Sequence, residues 1–352
     1  MTIPPIYDCI MSLCTSATLL RLLRVCKETH AAVNSHFRRA FNISKLLSHF
    51  FSEPPLFRSL QARTGTLISG SMALQFLQRS PIDPTSGLDI FVYMHYGREV
   101  GRWLRNHGYR FVPAVGQDEN FDVAIFKATS VIPGGPYVLD GVASMFTFVQ
   151  QSSTGKDVQR TVKLIICQSA PMEAILSSHS TCVMNAVTYE TAYCLFPRAT
   201  LEERVTLVSC STKGIYRNRG EALARYGARG YTTLLCIPPH DFYAANPSFP
   251  LGWRWIDDNT SWVLNLETSD VSVAHPSRNP DSTPLVHDPV SVTNWQMYDN
   301  HMKGVVMSLG QIKSDILRYE YVITDHELVA YVRRYLSLMH REVTRNGNVQ
   351  RL

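Results

Sequence analysis

Residues 65–93 read GTLISGSMALQFLQRSPIDPTSGLDIFVY, and the fold class follows from how this stretch is divided. Thr66 to Ile68 is a short apolar run suited to a strand, and Gly70-Ser71 turns it into a helix. Met72, Ala73, Phe76 and Leu77 recur at helical spacing and give that helix one apolar side. Pro81 and Pro84 end it, and Asp89 to Tyr93 forms a second strand, apolar enough to be buried. A helix that starts at Gly-Ser offers uncommitted backbone N–H groups and the positive end of its dipole, which suits a phosphate. Asp89, at the head of the next strand, would face that phosphate, directly or through a metal ion.

The order strand, Gly70-Ser71, helix, loop, acid-bearing strand resembles the core of the nucleotidyltransferase superfamily that includes polymerase beta. That family follows its Gly-Ser with an Asp-x-Asp pair, and residues two apart on a strand share a face. Two such carboxylates hold a pair of divalent ions about 3.5–4 Å apart, which align nucleophile and leaving group. Laid on this chain, the pattern falls on Gly70, Ser71, Gly87 and Asp89, so the first acid position holds a glycine. A shifted frame puts Phe91 at the second position instead. The family takes a third acid from a later strand, and the equivalent stretch here, TVKLIIC from Thr161 to Cys167, carries Lys163 and no acid.

The resemblance therefore implies a retained fold with lost chemistry. Gly70 and Ser71 would supply phosphate contacts, and Asp89 at most one weak magnesium ligand. No cofactor is expected, apart from Mg²⁺ where a nucleotide is bound. Two alternatives stay open. Gly70 is then only a tight turn and Asp89 only a strand-end cap, or Asp89 is catalytic with an acid from elsewhere, Asp122 or Asp140, in an active metal-dependent nucleotidyltransferase.

Upstream, residues 3 to about 51 read as helices. Ile6, Ile10 and Leu13 share one face, and Ser16 is placed to cap a second helix carrying Leu19, Leu20, Leu22 and Leu23. The segment IPPIYDCIMSLCTSATLLRLLRVCKETHAAV is similar to an F-box, with its early prolines, Leu-rich second helix and Val-Cys-Lys. That likeness implies docking on a Skp1-like adaptor of a ubiquitin ligase, through Ile6, Ile10, Leu19, Leu20 and Leu23. A plain helical cap on the next domain is the other reading. The chain as a whole, on SHFFSEPPLFRSLQARTGTLISGSMALQFL, GLDIFVY and EAILSSHSTCVMNAVTYETAYCLFPRAT, resembles fungal F-box-like proteins with a degenerate nucleotidyltransferase-like domain.

Composition sets the outer bounds. A length of 352 residues allows two modest domains, and 45% hydrophobic with 18% charged residues is globular with a large core or an apolar contact surface. A net charge of +5 permits a phosphate-rich partner without demanding one. The eight cysteines include no Cys-x-x-Cys pair and several lie in apolar runs, which predicts buried thiols in a reducing compartment. With no run of membrane-span length and no basic lead-in before Pro4 and Pro5, an intracellular place, cytoplasmic or nuclear, is expected.

Downstream, Glu99 to His107 reads as a helix, and Tyr109 to Val112, Phe121 to Lys127, Met145 to Gln150 and Thr161 to Cys167 as strands. Val183 to Phe196 reads as buried strand, with His179 and Cys182 before it a weak nucleophile candidate. Residues 200–232 read as helical; Arg217, Arg219, Arg225 and Arg229 with Tyr216, Tyr226 and Tyr231 fit a surface helix better than a nucleic-acid site. Residues 267–300, rich in Ser, Pro, Asp and Asn, read as a long loop. Thr324 to Glu327 reads as a capping box opening a helix that buries Leu328, Val332, Tyr335 and Met339.

The expected architecture is α+β, in three parts. Residues 1–53 are an F-box-like helical unit, 54–198 a mixed-sheet nucleotidyltransferase-like core, and 199–352 a helical or irregular C-terminal region. The function that follows is a non-catalytic binding protein acting as a protein-interaction adaptor.

Overall fold

Five helices precede the first strand: α1 (Pro4–Ser12), α2 (Ser16–Leu22), α3 (Lys27–Ala40), α4 (Ile43–Leu47) and α5 (Pro54–Thr64). The computed structural model describes residues 4–83, 85–130, 141–151, 159–210, 219–272, 288–300 and 304–346. Thr15 rather than Ser16 caps α2, accepting from the Thr18 amide at 3.2 Å. Pro54 and Pro55 sit inside the first turn of α5, where a missing N–H breaks no helical hydrogen bond.

The central stretch then folds as its spacing predicts, into β1 (Leu67–Ser69), α6 (Gly70–Gln78) and β2 (Leu88–Tyr93). Next come α7 (Gly97–Asn106), β3 (Arg110–Val112), α8 (Phe121–Ser130), β4 (Val142–Gln151), β5 (Gln159–Cys167), α9 (Pro171–Leu176), β6 (Asn185–Val187) and β7 (Thr191–Cys194). The remainder is β8 (Val205–Leu207), α10 (Arg219–Ala228), β9 (Thr232–Leu234), β10 (Gly252–Trp255), β11 (Trp262–Asn265), β12 (Asn294–Asp299), β13 (Val305–Ser308), β14 (Gln311–Ile312), β15 (Tyr321–Val322) and α11 (His326–Asn346).

An eight-stranded mixed sheet, in the order β11-β7-β6-β1-β2-β5-β4-β3, organises these elements. Its one parallel pair is β2 with β5, which sets Asp89 beside Lys163. On one face Leu88, Ile90, Val92, Val162, Leu164 and Ile166 share a core with the N-terminal helices. On the other, Leu67 and Tyr93 pack with Met172, Phe196, Trp295 and Met297. Burial on both faces explains why TVKLIIC is apolar almost without alternation. The fold is thus α+β, with helices at the N-terminus, a large mixed sheet and a C-terminal helix.

Several segments depart from the sequence reading. Phe121 to Lys127 is helical, not a strand. Asn120 receives the Asp122 amide at 2.9 Å, and the buried Phe121, Ala124 and Ile125 follow helical spacing. Residues 200–232 are not continuous helix. One wide turn, Arg198–Glu203, leads to β8, which pairs in parallel with β9 beyond α10. Within 267–300, Asn294 to Asp299 is the middle strand of the sheet β10-β12-β13, its Trp295 fully buried. Val183 to Phe196 divides into the hairpin of β6 and β7. The region from 199 onward is therefore richer in strands than expected, and β11 joins the main sheet by pairing with β7. At α11 the cap is Asp325, which accepts the Leu328 amide at 2.8 Å, and Leu336 is buried where Tyr335 was expected.

All eight cysteines are free. Cys167, Cys182 and Cys194 are buried, whereas Cys9, Cys26 and Cys236 are exposed. Among the described residues no helix is long and apolar enough to cross a membrane.

Candidate functional site

The chain leaves β1 and enters α6 through Gly70, whose φ of +67° is reached readily only by glycine. A second constraint acts at the same atom. A Cβ on Gly70 would stand 2.7 Å from Asp89 Oδ2, so the carboxylate occupies the space a side chain would take. Asp89 reaches this place because β1 and β2 pair with Ser69 opposite Asp89. Ser69 has the right side chain to cap α6 yet makes no cap; its hydroxyl donates instead to Asn185 O at 2.6 Å. The first amides of α6 thus carry no side-chain cap, beside a three-quarters-buried carboxylate and the half-buried Ser71.

Cations surround this turn. Lys163 lies in register with Asp89 on β5, and its Nζ is 3.9 Å from Asp89 Oδ1, with 41% of the Lys163 side chain exposed. Arg225, exposed on α10, adds its field. Helix α10 is held there by Arg229, which reaches Asp83 at 3.1 Å and Ser86 Oγ at 3.1 Å on the approach to β2. Burial raises the Asp89 carboxyl above the ordinary aspartate value, and Lys163 and then Arg225 oppose that rise. His179, behind the same helix, is held down to about 4 by burial, with Arg219 and Arg225 adding to the effect, so it is neutral at pH 7.

Gly70, Ser71, Asp89 and Lys163 converge. Gly87 immediately precedes β2, and a Cβ there would meet Thr161 O at 3.2 Å. Asp122 does not approach Asp89: it belongs to the β3 end of the sheet, three strands from β2, where Arg98, Arg102 and Arg105 surround it. Asp140 lies outside the described residues. The His179 and Cys182 pair lacks the exposed, activated setting of a nucleophilic thiol. The Cys182 thiol is fully buried and its pKa is raised by that burial, while His179 Nδ1 meets the Ser180 hydroxyl at 2.8 Å.

Of the residues expected to face a partner, Ile6 and Ile10 are exposed at 57% and 50%, alongside Leu13 at 86%. Leu20 and Leu23 are half-buried against the main core. Leu19 is corrected: it is fully buried with Phe37 and Phe41 and serves the core.

Chemically, one carboxylate among an ammonium, a guanidinium and uncapped amides favours an anion over a pair of divalent cations. Among the described residues, no three His, Cys, Asp or Glu side chains come together in a group able to hold a metal ion. Arg225 is the contributor that sequence reading did not assign to this site; its proximity depends on the long-range tie between Arg229 and Asp83. In comparisons with family models, curated proteins and solved structures, none matches this chain.

Proposed function

We propose that the chain is a non-catalytic nucleotidyltransferase-fold binding protein that acts, through an F-box-like N-terminus, as a protein-interaction adaptor of the ubiquitin-ligase substrate-receptor type. One observation carries the non-catalytic part. Where the resemblance expects a third acid, Lys163 stands 3.9 Å from the single carboxylate of Asp89. An ammonium there occupies electrostatically the place of a divalent ion, and two-metal phosphoryl chemistry needs at least two carboxylates. A nucleotide phosphate is the ligand that best suits Gly70, Ser71 and Lys163. Mg²⁺, if it accompanies the nucleotide, would rest on Asp89 and the phosphates.

Support for the adaptor part is the outward row Ile6 and Ile10 on α1 with Leu13 just after it, an apolar face open to a partner helix. The test uses the full chain. Wild type should retain a Skp1-like adaptor in a pull-down, and Ile6→Asp with Ile10→Asp should lose it at an unchanged urea midpoint. Failure of wild type to retain the adaptor overturns that part. Transfer of a labelled NMP to protein or RNA, abolished by Asp89→Ala, would overturn the non-catalytic part.

A further inference from the structure

Away from the Gly70–Asp89 turn, a cleft of about 890 Å³ opens at the other end of the sheet. Its walls are Arg102 and Arg105 of α7 and Arg110 of β3, and its floor is formed by Tyr109, Phe111 and Phe121. Arg98, Arg102 and Arg105 recur at i, i+4 and i+7, so one face of α7 is a guanidinium row about 10 Å long at 1.5 Å per residue. The row stands close to α8 because Gly101 lies beneath Phe121, where a Cβ would be 2.1 Å from the ring.

The arginines are organised but not neutralised. Asp122 takes all three of the α7 row, with Arg102 at 2.8 Å, Arg105 at 3.3 Å and Arg98 at 3.6 Å. One carboxylate offers about four lone-pair sites, while three guanidiniums carry about fifteen N–H donors. Side-chain exposures of 57%, 49% and 48% leave about half of each arginine side chain open to solvent. Arg110 is exposed and has no ion-pair partner among the described residues. Guanidiniums held in place before a ligand arrives bind a tetrahedral dianion bidentately with little ordering cost.

Two features favour a peptide over a nucleic acid. First, β3 is the last strand of the sheet and, among the described residues, pairs only with β4, which leaves its outer backbone edge for an added strand. Second, the acidic Glu119 lines the same cleft, and with Asp122 paired to Arg102 beside it repels a continuous polyphosphate backbone. Tyr109, Phe111 and Phe121 are at most 9% exposed and offer no face for stacking bases.

We propose that this cleft binds a phosphoserine- or phosphothreonine-bearing peptide segment, with its phosphate on Arg102, Arg105 and Arg110 and its backbone along the open edge of β3. This does not depend on the reading of the Gly70–Asp89 turn. The test is retention, by the full chain, of a degenerate peptide pool with one central phosphoserine or phosphothreonine, against the same pool unphosphorylated. Wild type should favour the phosphorylated pool by about tenfold or more, a difference of about 1.4 kcal/mol. Arg102→Ala with Arg110→Ala should bring the ratio to near one, at an unchanged urea midpoint because both side chains are exposed. Arg102→Lys with Arg110→Lys, which keeps charge but removes the fork, should fall between. A ratio near one in wild type overturns the proposal, as does a ratio the alanine pair leaves intact. Tighter retention of single-stranded RNA through the same arginines assigns the cleft to nucleic acid and equally overturns it.

Discussion

Gly70→Ala is the sharpest probe of the turn, because two separate costs meet at one atom. The first is conformational: φ is +67° at Gly70, and placing an L-residue in that region costs about 1–2 kcal/mol. The second is steric: the new methyl carbon would lie 2.7 Å from Asp89 Oδ2, and overfilling a packed site costs about 1–3 kcal/mol. The carboxylate can escape only by rotating away from the head of α6, which forfeits its favourable position at the helix dipole. In the wild-type background the sum is about 2–5 kcal/mol. In an Asp89→Ala background the steric part vanishes and about 1–2 kcal/mol remains. A double-mutant cycle by urea unfolding, compared at constant m, should therefore give a coupling of about 1–3 kcal/mol between positions 70 and 89. If Gly70→Ala costs the same in both backgrounds to within about 0.5 kcal/mol, the carboxylate does not fill the space above Gly70. The account of the site would then fail with it.

Three further outcomes are expected. Burial holds the Asp288 carboxyl up at about 6, above an unfolded value of about 3.9. The native state thus binds the extra proton between these values, and stability falls by about 2–3 kcal/mol as pH rises from about 4 through about 6; Asp288→Asn should flatten urea midpoints across that window. Arg79 donates to Met11 O at 3.3 Å and to Cys14 O, and its guanidinium lies 5.7 Å from the Phe41 ring centroid. Arg79→Ala should cost about 2–3 kcal/mol by urea unfolding, and a loss below about 0.5 kcal/mol would show that these bonds do not hold α1 to α6. Arg254, with 2% of its side chain exposed, pairs with Asp258 at 2.6 Å and lies 5.3 Å from both the Phe196 and Trp295 ring centroids. Arg254→Ala should destabilise by about 3–5 kcal/mol by orphaning Asp258, and adding Asp258→Asn should recover part of that loss.

Where local spacing and tertiary burial agree, the fold was legible. In β1, α6 and β2 the glycine turn, the Met72-Ala73-Phe76-Leu77 spacing and the flanking prolines all point the same way. Phe121 to Lys127 went wrong because a short apolar run suits strand or helix alike, and the deciding cap, Asn120, lies just before it. The strand at Asn294 to Asp299 carries a visible alternation of buried Trp295 and Met297 with Gln296 and Tyr298, hidden by the polar residues around it. At the site, Gly70, Asp89 and the contrary charge of Lys163 are readable in sequence. Arg225 is not, since a tie between residues 83 and 229 brings it there. The Arg98, Arg102 and Arg105 spacing is readable too, but its closure into a cleft depends on Gly101 meeting Phe121.

The N-terminal helices pose the opposite difficulty, because two sets of apolar residues share one periodic pattern and serve different ends. Leu19, Val33, Phe37 and Phe41 point inward, and the Phe41 ring stands 5.3 Å from Trp262 and 5.9 Å from Phe76 in edge-on contacts. Trp262 belongs to β11, far along the chain, so the helices share the sheet's core rather than building their own. Removing one such aromatic costs about 3–5 kcal/mol, a large part of the stability of any domain. A partner that engaged Leu19 would have to break this core before gaining anything from binding. Among the described residues of these helices the exposed large apolar set, Ile6, Ile10, Leu13 and the 67%-exposed Val25, can meet a partner with the fold intact. A docking reading of this segment therefore has to rest on α1 and the turn after α2, not on the leucine-rich helix that first suggests it.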